Sequence, residues 1–210
     1  TQPNSSNYIN EFAVAPSNSS VIYVVKNSGV YKTTNGGTSW TTVNSGLPTA
    51  SAAATYVAVS PTDANIAYVT FSGYSSGNKV YETTNGGTSW TNYSTGLPNL
   101  PANCITYQNN AHGAVYVGMD VGVYYRDSTL ASWQLYNAGL PNVIVTQMEI
   151  YYATGKIRAS TFGRGMWEIP VYSVGANPPT ADFSGTPTVI CQGNTVSFTD
   201  LSGFSPSSWN

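Results

Sequence analysis

The chain has 210 residues, enough for one domain or two. Only 8 % of them are charged and the net charge is −2, which excludes the basic surface that nucleic acid requires. No apolar run reaches membrane-spanning length, and the dominance of Thr, Ser, Asn, Gly and Tyr fits an extracellular all-β protein with neutral, hydrogen-bonding surfaces.

The chain opens at Thr1-Gln2-Pro3 without a signal peptide, which points to a processed or trimmed N-terminus. Two β-favouring runs follow, Phe12-Ala13-Val14 and Val21 to Val24, separated by the turn-forming Pro16 to Ser20. Next comes Val30-Tyr31 and the nine residues Thr33 to Thr41, then Gly46-Leu47-Pro48. Asn35-Gly36 in that stretch is a strong hairpin signal, because both residues tolerate positive φ.

The same order returns. Tyr56 to Val59 and Ile66 to Val69 flank the turn Pro61 to Asn65, and Thr83 to Thr91 repeats Thr33 to Thr41 letter for letter. A third unit has Cys104 to Tyr107 and Ala114 to Val117 around Asn109 to Gly113, then Val123-Tyr124, Trp133 and Gly139-Leu140-Pro141. In all three, Val to Trp is ten positions and Trp to Gly is six, with periods of 50 and 43 residues. The fourth unit has Met148 to Tyr151, Ile157 to Ala159 around Ala153 to Lys156, and a third strand in Gly165 to Val171, with no fourth.

Each unit therefore reads as strands A, B, C and D, with the repeated stretch as the C–D turn. Four antiparallel strands per unit at this period make a propeller blade. The repeats span about 8–48, 52–98, 102–141 and 144–172. Residues 1–172 are expected to form the blades and 173–180 a linker. Thr1 to Asn7 is too polar and short to donate the missing strand. Tyr23, Tyr68, Tyr116, Tyr31, Tyr81 and Tyr124 recur at fixed blade positions and read as inter-blade packing.

Thr33-x-Asn35-x-Gly37-x-Ser39-Trp40 and Thr83-x-Asn85-x-Gly87-x-Ser89-Trp90 resemble the Asp-box of BNR-type propellers, the sialidase-, sortilin- and xyloglucanase-like proteins, with Asn for the usual Asp. The third copy keeps Trp133 but has Ser128 and Leu130 where Asn and Gly should stand, so its turn must differ. The resemblance gives Asn35, Gly37, Trp40, Asn85, Gly87, Trp90 and Trp133 structural roles. It also implies a larger ring, of which this chain would be the C-terminal part. Residues 181–210, with Phe183-Ser184, Cys191-x-Gly193-x-Thr195-Val196-x-Phe198-x-Asp200 and Ser208-Trp209, resemble the start of a PKD-type Ig-like domain. The combination resembles secreted or cell-surface proteins of Bacteroidetes-type bacteria.

Propeller geometry places A–B and C–D turns at one end and B–C and D–A loops at the other, where ligands mostly bind. The B–C loops supply Tyr74, Asn78, Asp120, Phe162 and Arg164 as candidate ligand contacts, a set of aromatic and hydrogen-bonding groups suited to sugars. A glycosidase needs two carboxylates about 5–10 Å apart, and Asp120 with Glu149 is the pair the topology can bring near one another. A sialidase needs three clustered arginines, and Arg126, of the three arginines Arg126, Arg158 and Arg164, falls at the other end.

His112, the single histidine, has no Ser or Cys partner at hydrolase spacing, and Gly163-Arg164-Gly165 precedes no helix that could bind phosphate. Asp182 and Asp200 could contribute to a calcium site but are by themselves weak evidence for one, and Cys104 and Cys191 fall in different domains. The expectation is a non-catalytic binding or adhesion module for an extracellular glycan or surface protein, without metal or cofactor. The alternatives are a fragment of a xyloglucanase-like propeller glycoside hydrolase whose catalytic carboxylates lie outside this chain, and a structural spacer in a surface adhesin or filament.

Overall fold

The computed structural model describes residues 3, 8–110, 112–137, 139–172, 183–189 and 193–200. The chain divides into two compact units, Thr1–Val171 and Tyr172–Asn210. Among the described residues the first unit holds fifteen strands in four antiparallel sheets and no helix. Sheet one is β1 (Ile9–Val14), β2 (Ile22–Lys26), β3 (Gly29–Thr33) and β4 (Thr41–Thr42), in that order. Sheet two is β5 (Ala54–Val59), β6 (Ala67–Phe71), β7 (Val80–Thr83) and β8 (Thr91–Asn92). Sheet three is β9 (Ala102–Tyr107), β10 (Val115–Met119), β11 (Gly122–Arg126) and β12 (Gln134–Leu135). Sheet four stops at three strands, β13 (Val145–Tyr151), β14 (Lys156–Thr161) and β15 (Gly165–Pro170).

The first strands form an inner row, β1 beside β5, β5 beside β9 and β9 beside β13. This is the arrangement of propeller blades. The outermost strands are only two residues long, so most of the outer edge is turn. Register repeats from blade to blade: Phe12↔Val24↔Tyr31↔Thr42, Val57↔Val69↔Tyr81↔Asn92, Ile105↔Val117↔Tyr124↔Leu135, then Met148↔Ala159 in the last sheet's shorter ladder.

 Ala159 in turn pairs with Trp167, so the tryptophan stands where the other blades have their tyrosine.

Each blade packs one face on the opposite face of its predecessor. Val57, Val69 and Phe71 meet Tyr23, Val25 and Val30 in one core. Ile105, Val117 and Met119 meet Ala58, Tyr68 and Val80 in the next. Burying such side chains stabilises by about 1.5–3 kcal/mol each. Between blades three and four the approach is also close, and a Cβ on Gly118 would lie 2.7 Å from Val145 Cγ1.

The repeated turn is a side-chain device. Asn35 Oδ1 accepts from the Ser39 amide at 2.9 Å and from Thr33 Oγ1 at 2.8 Å, and the Gly37 amide donates to Thr33 Oγ1. Asn85 repeats this with Ser89 and Thr83. The left-handed conformations fall on Gly36 and Gly37, at φ +64° and +92°, while Asn35 acts through its side chain. The third turn does differ. Asp127, one residue earlier than letter-by-letter alignment places the Asn, accepts at Oδ1 from the Thr129 amide and hydroxyl.

Trp90 and Trp133 are 5 % and 3 % exposed, and each locks onto the preceding blade, whereas Trp40 is half-buried. In the second unit, β16 (Phe183–Thr186) pairs antiparallel with β17 (Ser197–Asp200). Thr1, Asn7, Ser173 to Thr180, Asp182, Cys191 and Trp209 lie outside the described residues.

Candidate functional site

The turns sort by end. The Gly36, Gly86 and Ser128 amides of the C–D turns donate to Ser20, Asn65 and His112 carbonyls of the A–B turns. At the other end the Ser72 and Phe162 amides of B–C loops donate to Ala53 and Ile144 of the D–A segments.

At the B–C end, the Ser72 to Asn78 loop is pinned at its base. Buried Lys79 donates to the Gly73 carbonyl at 2.6 Å, and burial lowers its ammonium pKa. Asn78 accepts from the Tyr81 hydroxyl and donates to Ser75 Oγ, so it holds the loop. Tyr74 is left at the tip, 69 % exposed. Asp120 accepts from Asn103 Nδ2 at 3.0 Å, which ties its turn to an inner strand. Phe162 is 73 % exposed in the β14–β15 turn, and Arg164 beside it is exposed while its carbonyl accepts from the Trp167 indole.

Glu149 lies across from Arg158 in a recess of about 260 Å³ with Gln147, Ser160 and Met166, and Asp120 is not among its lining. Glu11 is the carboxylate that sequence reasoning missed. Tyr56 on β5 is held protonated by burial first, then by the nearby charge of Glu11, with Glu149 adding to the same field. Glu11 and Tyr56 border a recess of about 400 Å³ along the inner strands. Pro16, Pro61, Asn109 and Tyr152, from the A–B turns of all four blades, also border it. This recess therefore reaches the end opposite to the candidate loops.

A third recess, about 450 Å³, opens at that same end between blades two and three. Tyr68, Glu82 and Tyr93 line one side, and Tyr107, His112 and Arg126 the other. Arg126 lies 3.7 Å from the Tyr93 ring centroid and donates to the Tyr93 and Leu130 carbonyls. Asp127 is buried beneath. Burial pushes its carboxyl up, but hydrogen bonds from Thr129 and Tyr125, with His112 nearby, outweigh this and hold it below the usual aspartate value.

Outward of β13 and β14, Glu168 bridges Lys156 and Arg158, whose hydrogen bonds lower its pKa. Arg158 also lies 4.6 Å from the Tyr151 ring centroid. Among the described residues no group of three or more His, Cys, Asp or Glu could hold a metal, and no helix is long and apolar enough to cross a membrane.

One further set of residues was readable in the repeats. Asn44 and Asn137 accept from the Val30 and Val123 amides at 2.7 Å, and Ser94 accepts from Lys79 and Val80. Each stands two residues before the Gly of Gly-Leu-Pro.

No family model matches the sequence, and no curated protein sequence does. Solved structures do. A GH74 xyloglucanase from Xanthomonas campestris superposes with TM-score 0.60 at 17 % identity, over 78 % of this chain and 28 % of its own. YCF48 bound to a D1 peptide gives TM-score 0.54 at 17 % identity, over 77 % of this chain and 55 % of its own. The extracellular domain of a two-component system from B. thetaiotaomicron gives TM-score 0.53 at 12 % identity, over 77 % of this chain and 21 % of its own. The chain thus spans less than two thirds of each of these proteins, and what it shares with them is the fold: an all-β protein of four-stranded propeller blades.

Proposed function

We propose that the chain is part of a larger, secreted or surface-exposed bacterial propeller that binds carbohydrate without transforming it, through its B–C and D–A end. The observation that carries this reading is the pair of aromatics Tyr74 and Phe162, 69 % and 73 % exposed on loops whose bases are otherwise tied down. Aromatic faces held out on rigid supports suit the CH faces of sugars, and Asp120 and Arg164 add polar groups at the same end.

The hydrogen bonds of Asn35 and Asn85 support the Asp-box reading of the repeated turns. Exposed Phe12 and half-buried Trp40 on the first blade support a preceding blade in a larger ring. The β16–β17 pair is compatible with the opening of a PKD-like domain.

Glycan-array binding by the intact chain, lost at least tenfold in both Tyr74→Ala and Phe162→Ala, is the expected result. Retention of full binding by both variants, or binding to no glycan while a protein is captured through the same loops, would overturn it.

A second reading, part of a propeller glycoside hydrolase, is favoured by Glu11 and Glu149 acting on one inner-strand tyrosine. Release of reducing ends from xyloglucan, abolished by Glu11→Gln or Glu149→Gln, would establish it in place of the first. The GH74 likeness makes xyloglucan the polymer to try.

A further inference from the structure

The two inner blade boundaries are built from the same positions, yet one is closed and the other open. At the boundary of blades one and two, Lys32 on β3 pairs across the ladder with Tyr23, and its ammonium lies 5.2 Å from that ring's centroid. It donates to the Gly86 carbonyl of the next blade's repeated turn at 2.9 Å, and the Tyr23 hydroxyl donates to Ala64 of the same blade. Turn and cation seal the boundary. A Cβ on Gly86 would come within 2.5 Å of Lys32 Nζ.

One blade later the register puts Tyr68 at the place of Tyr23 and Glu82 at the place of Lys32. The cation has become an anion. The Tyr68 hydroxyl now turns to its own blade and donates to Glu82 Oε1 at 2.5 Å. Burial, followed by that hydrogen bond, keeps the Tyr68 hydroxyl protonated. Among the described residues the ion pairs are those of Glu168 with Lys156 and Arg158, and no basic side chain reaches Glu82. Across the gap stand Asp127 and Ser128 of a turn that is itself an acceptor-rich, contracted version of the box. Arg126 is at hand, but it is stacked on Tyr93 and donates to the Tyr93 and Leu130 carbonyls.

Tyr68, Tyr93 and Tyr107 cluster with centroid separations of 5.4 Å and 5.9 Å about Tyr68. With the Tyr93 face taken by Arg126, the Tyr68 and Tyr107 rings beside a carboxylate that makes no ion pair form a site for an organic ammonium, attracted by the rings and by the charge. We infer that the cleft between blades two and three, at the A–B/C–D end, binds a primary alkylammonium group, which takes the place that the Lys32 ammonium fills one boundary earlier. The site is independent of the carbohydrate reading, since it lies at the other end of the blades and uses none of its residues. A free amine and a lysine side chain offer the same group.

The test is a titration of the intact, isotopically labelled chain, followed by amide chemical shifts, with three probes: Nα-acetyl-lysine N-methylamide, its Nε-acetylated analogue, and n-butylamine. Saturable shifts at Tyr68, Glu82, Tyr93 and Ser128 are expected with the lysine probe, and at least tenfold weaker ones with the acetylated analogue. Binding of n-butylamine as well marks a general amine site, and its failure beside a bound lysine probe marks a peptide site. Glu82→Gln should weaken binding at least tenfold. Glu82→Lys, which copies Lys32, should abolish it by filling the cleft from within. Equal binding of lysine and acetyl-lysine, no saturable shifts around Tyr68, or undiminished affinity in Glu82→Gln would each overturn the assignment.

Discussion

The Trp90 indole donates across the blade boundary to the Val43 carbonyl at 2.7 Å, and Trp133 repeats this with Tyr93 at 2.6 Å. The backbone follows suit, since the Trp90 and Trp133 amides donate to Ser45 and Thr95. Each tryptophan is thus a rivet between neighbours rather than a filler of its own hairpin. Trp90→Phe keeps most of the ring but leaves a carbonyl without its donor, a loss of about 1–3 kcal/mol. Trp40→Phe, at the half-buried first copy, should cost clearly less. Urea denaturation of both variants checks the order.

The glycine of each Gly-Leu-Pro is where that rivet seats. A Cβ on Gly46 would clash with the Trp90 carbonyl oxygen, and one on Gly96 would lie 3.0 Å from the Trp133 carbonyl oxygen. Gly139 has the same left-handed backbone at φ +73° but nothing within 4 Å, as no repeated turn follows in the fourth blade. Gly139→Ala should therefore cost only the left-handed penalty, about 1–2 kcal/mol. Gly46→Ala should cost more, because its boundary must also shift. Comparable losses of Tm in the two would show that the backbone conformation alone sets the requirement.

Blade order and turn placement were legible because the repeated letters carry their own register, while the side-chain bonds by which Asn35 and Asn85 hold those turns show only in the structure. Asp127 was not legible. Keeping Val123 to Trp133 in frame put Ser128 at the Asn position, and a contraction of one residue inside an unchanged interval leaves no trace in spacing. Glu11 was hidden for a different reason. It precedes the repeated stretch, and its significance arises only where β1 comes beside β5 and Tyr56. The cleft at Glu82 follows from one changed charge, Lys32 to Glu82, inside an otherwise faithful repeat.

Asp127 makes a prediction about acid. Its carboxyl is buried and accepts from Tyr125 at 2.5 Å as well as from Thr129. Its folded pKa is depressed, so its contribution to stability is complete above the unfolded value of about 4 and is lost as pH falls through the lower folded value. Asp127→Asn keeps the size and one acceptor but removes the charge, at a cost of about 1.5–3 kcal/mol near neutrality. The difference in stability between wild type and variant should shrink on going from pH 6 to pH 3. A difference that stays constant over that range would separate the stability from the charge.

Cys104 and Gly118 give the last test, at the boundary of blades three and four. Cys104 is fully buried on β9, and burial pushes its thiol up to about 12, against a smaller opposing effect of the Gly118 backbone. At pH 8 the folded thiol is almost wholly protonated, so a disulfide reagent should label it only through unfolding. Because the folded pKa is raised, the stability from the protonated thiol is full below about 8.5 and fades as pH climbs toward about 12. Wild type should therefore lose more stability than Cys104→Ala between pH 8 and pH 10. A Cβ on Gly118 would lie 2.6 Å from Cys104 Sγ and 2.7 Å from Val145. Gly118→Ala should accordingly force β9 and β13 apart and speed labelling of Cys104 at pH 8 by more than tenfold, while Gly163→Ala, with open space around it, should leave the rate within a few-fold of wild type. Fast labelling of the native wild-type chain would contradict the burial from which both expectations start.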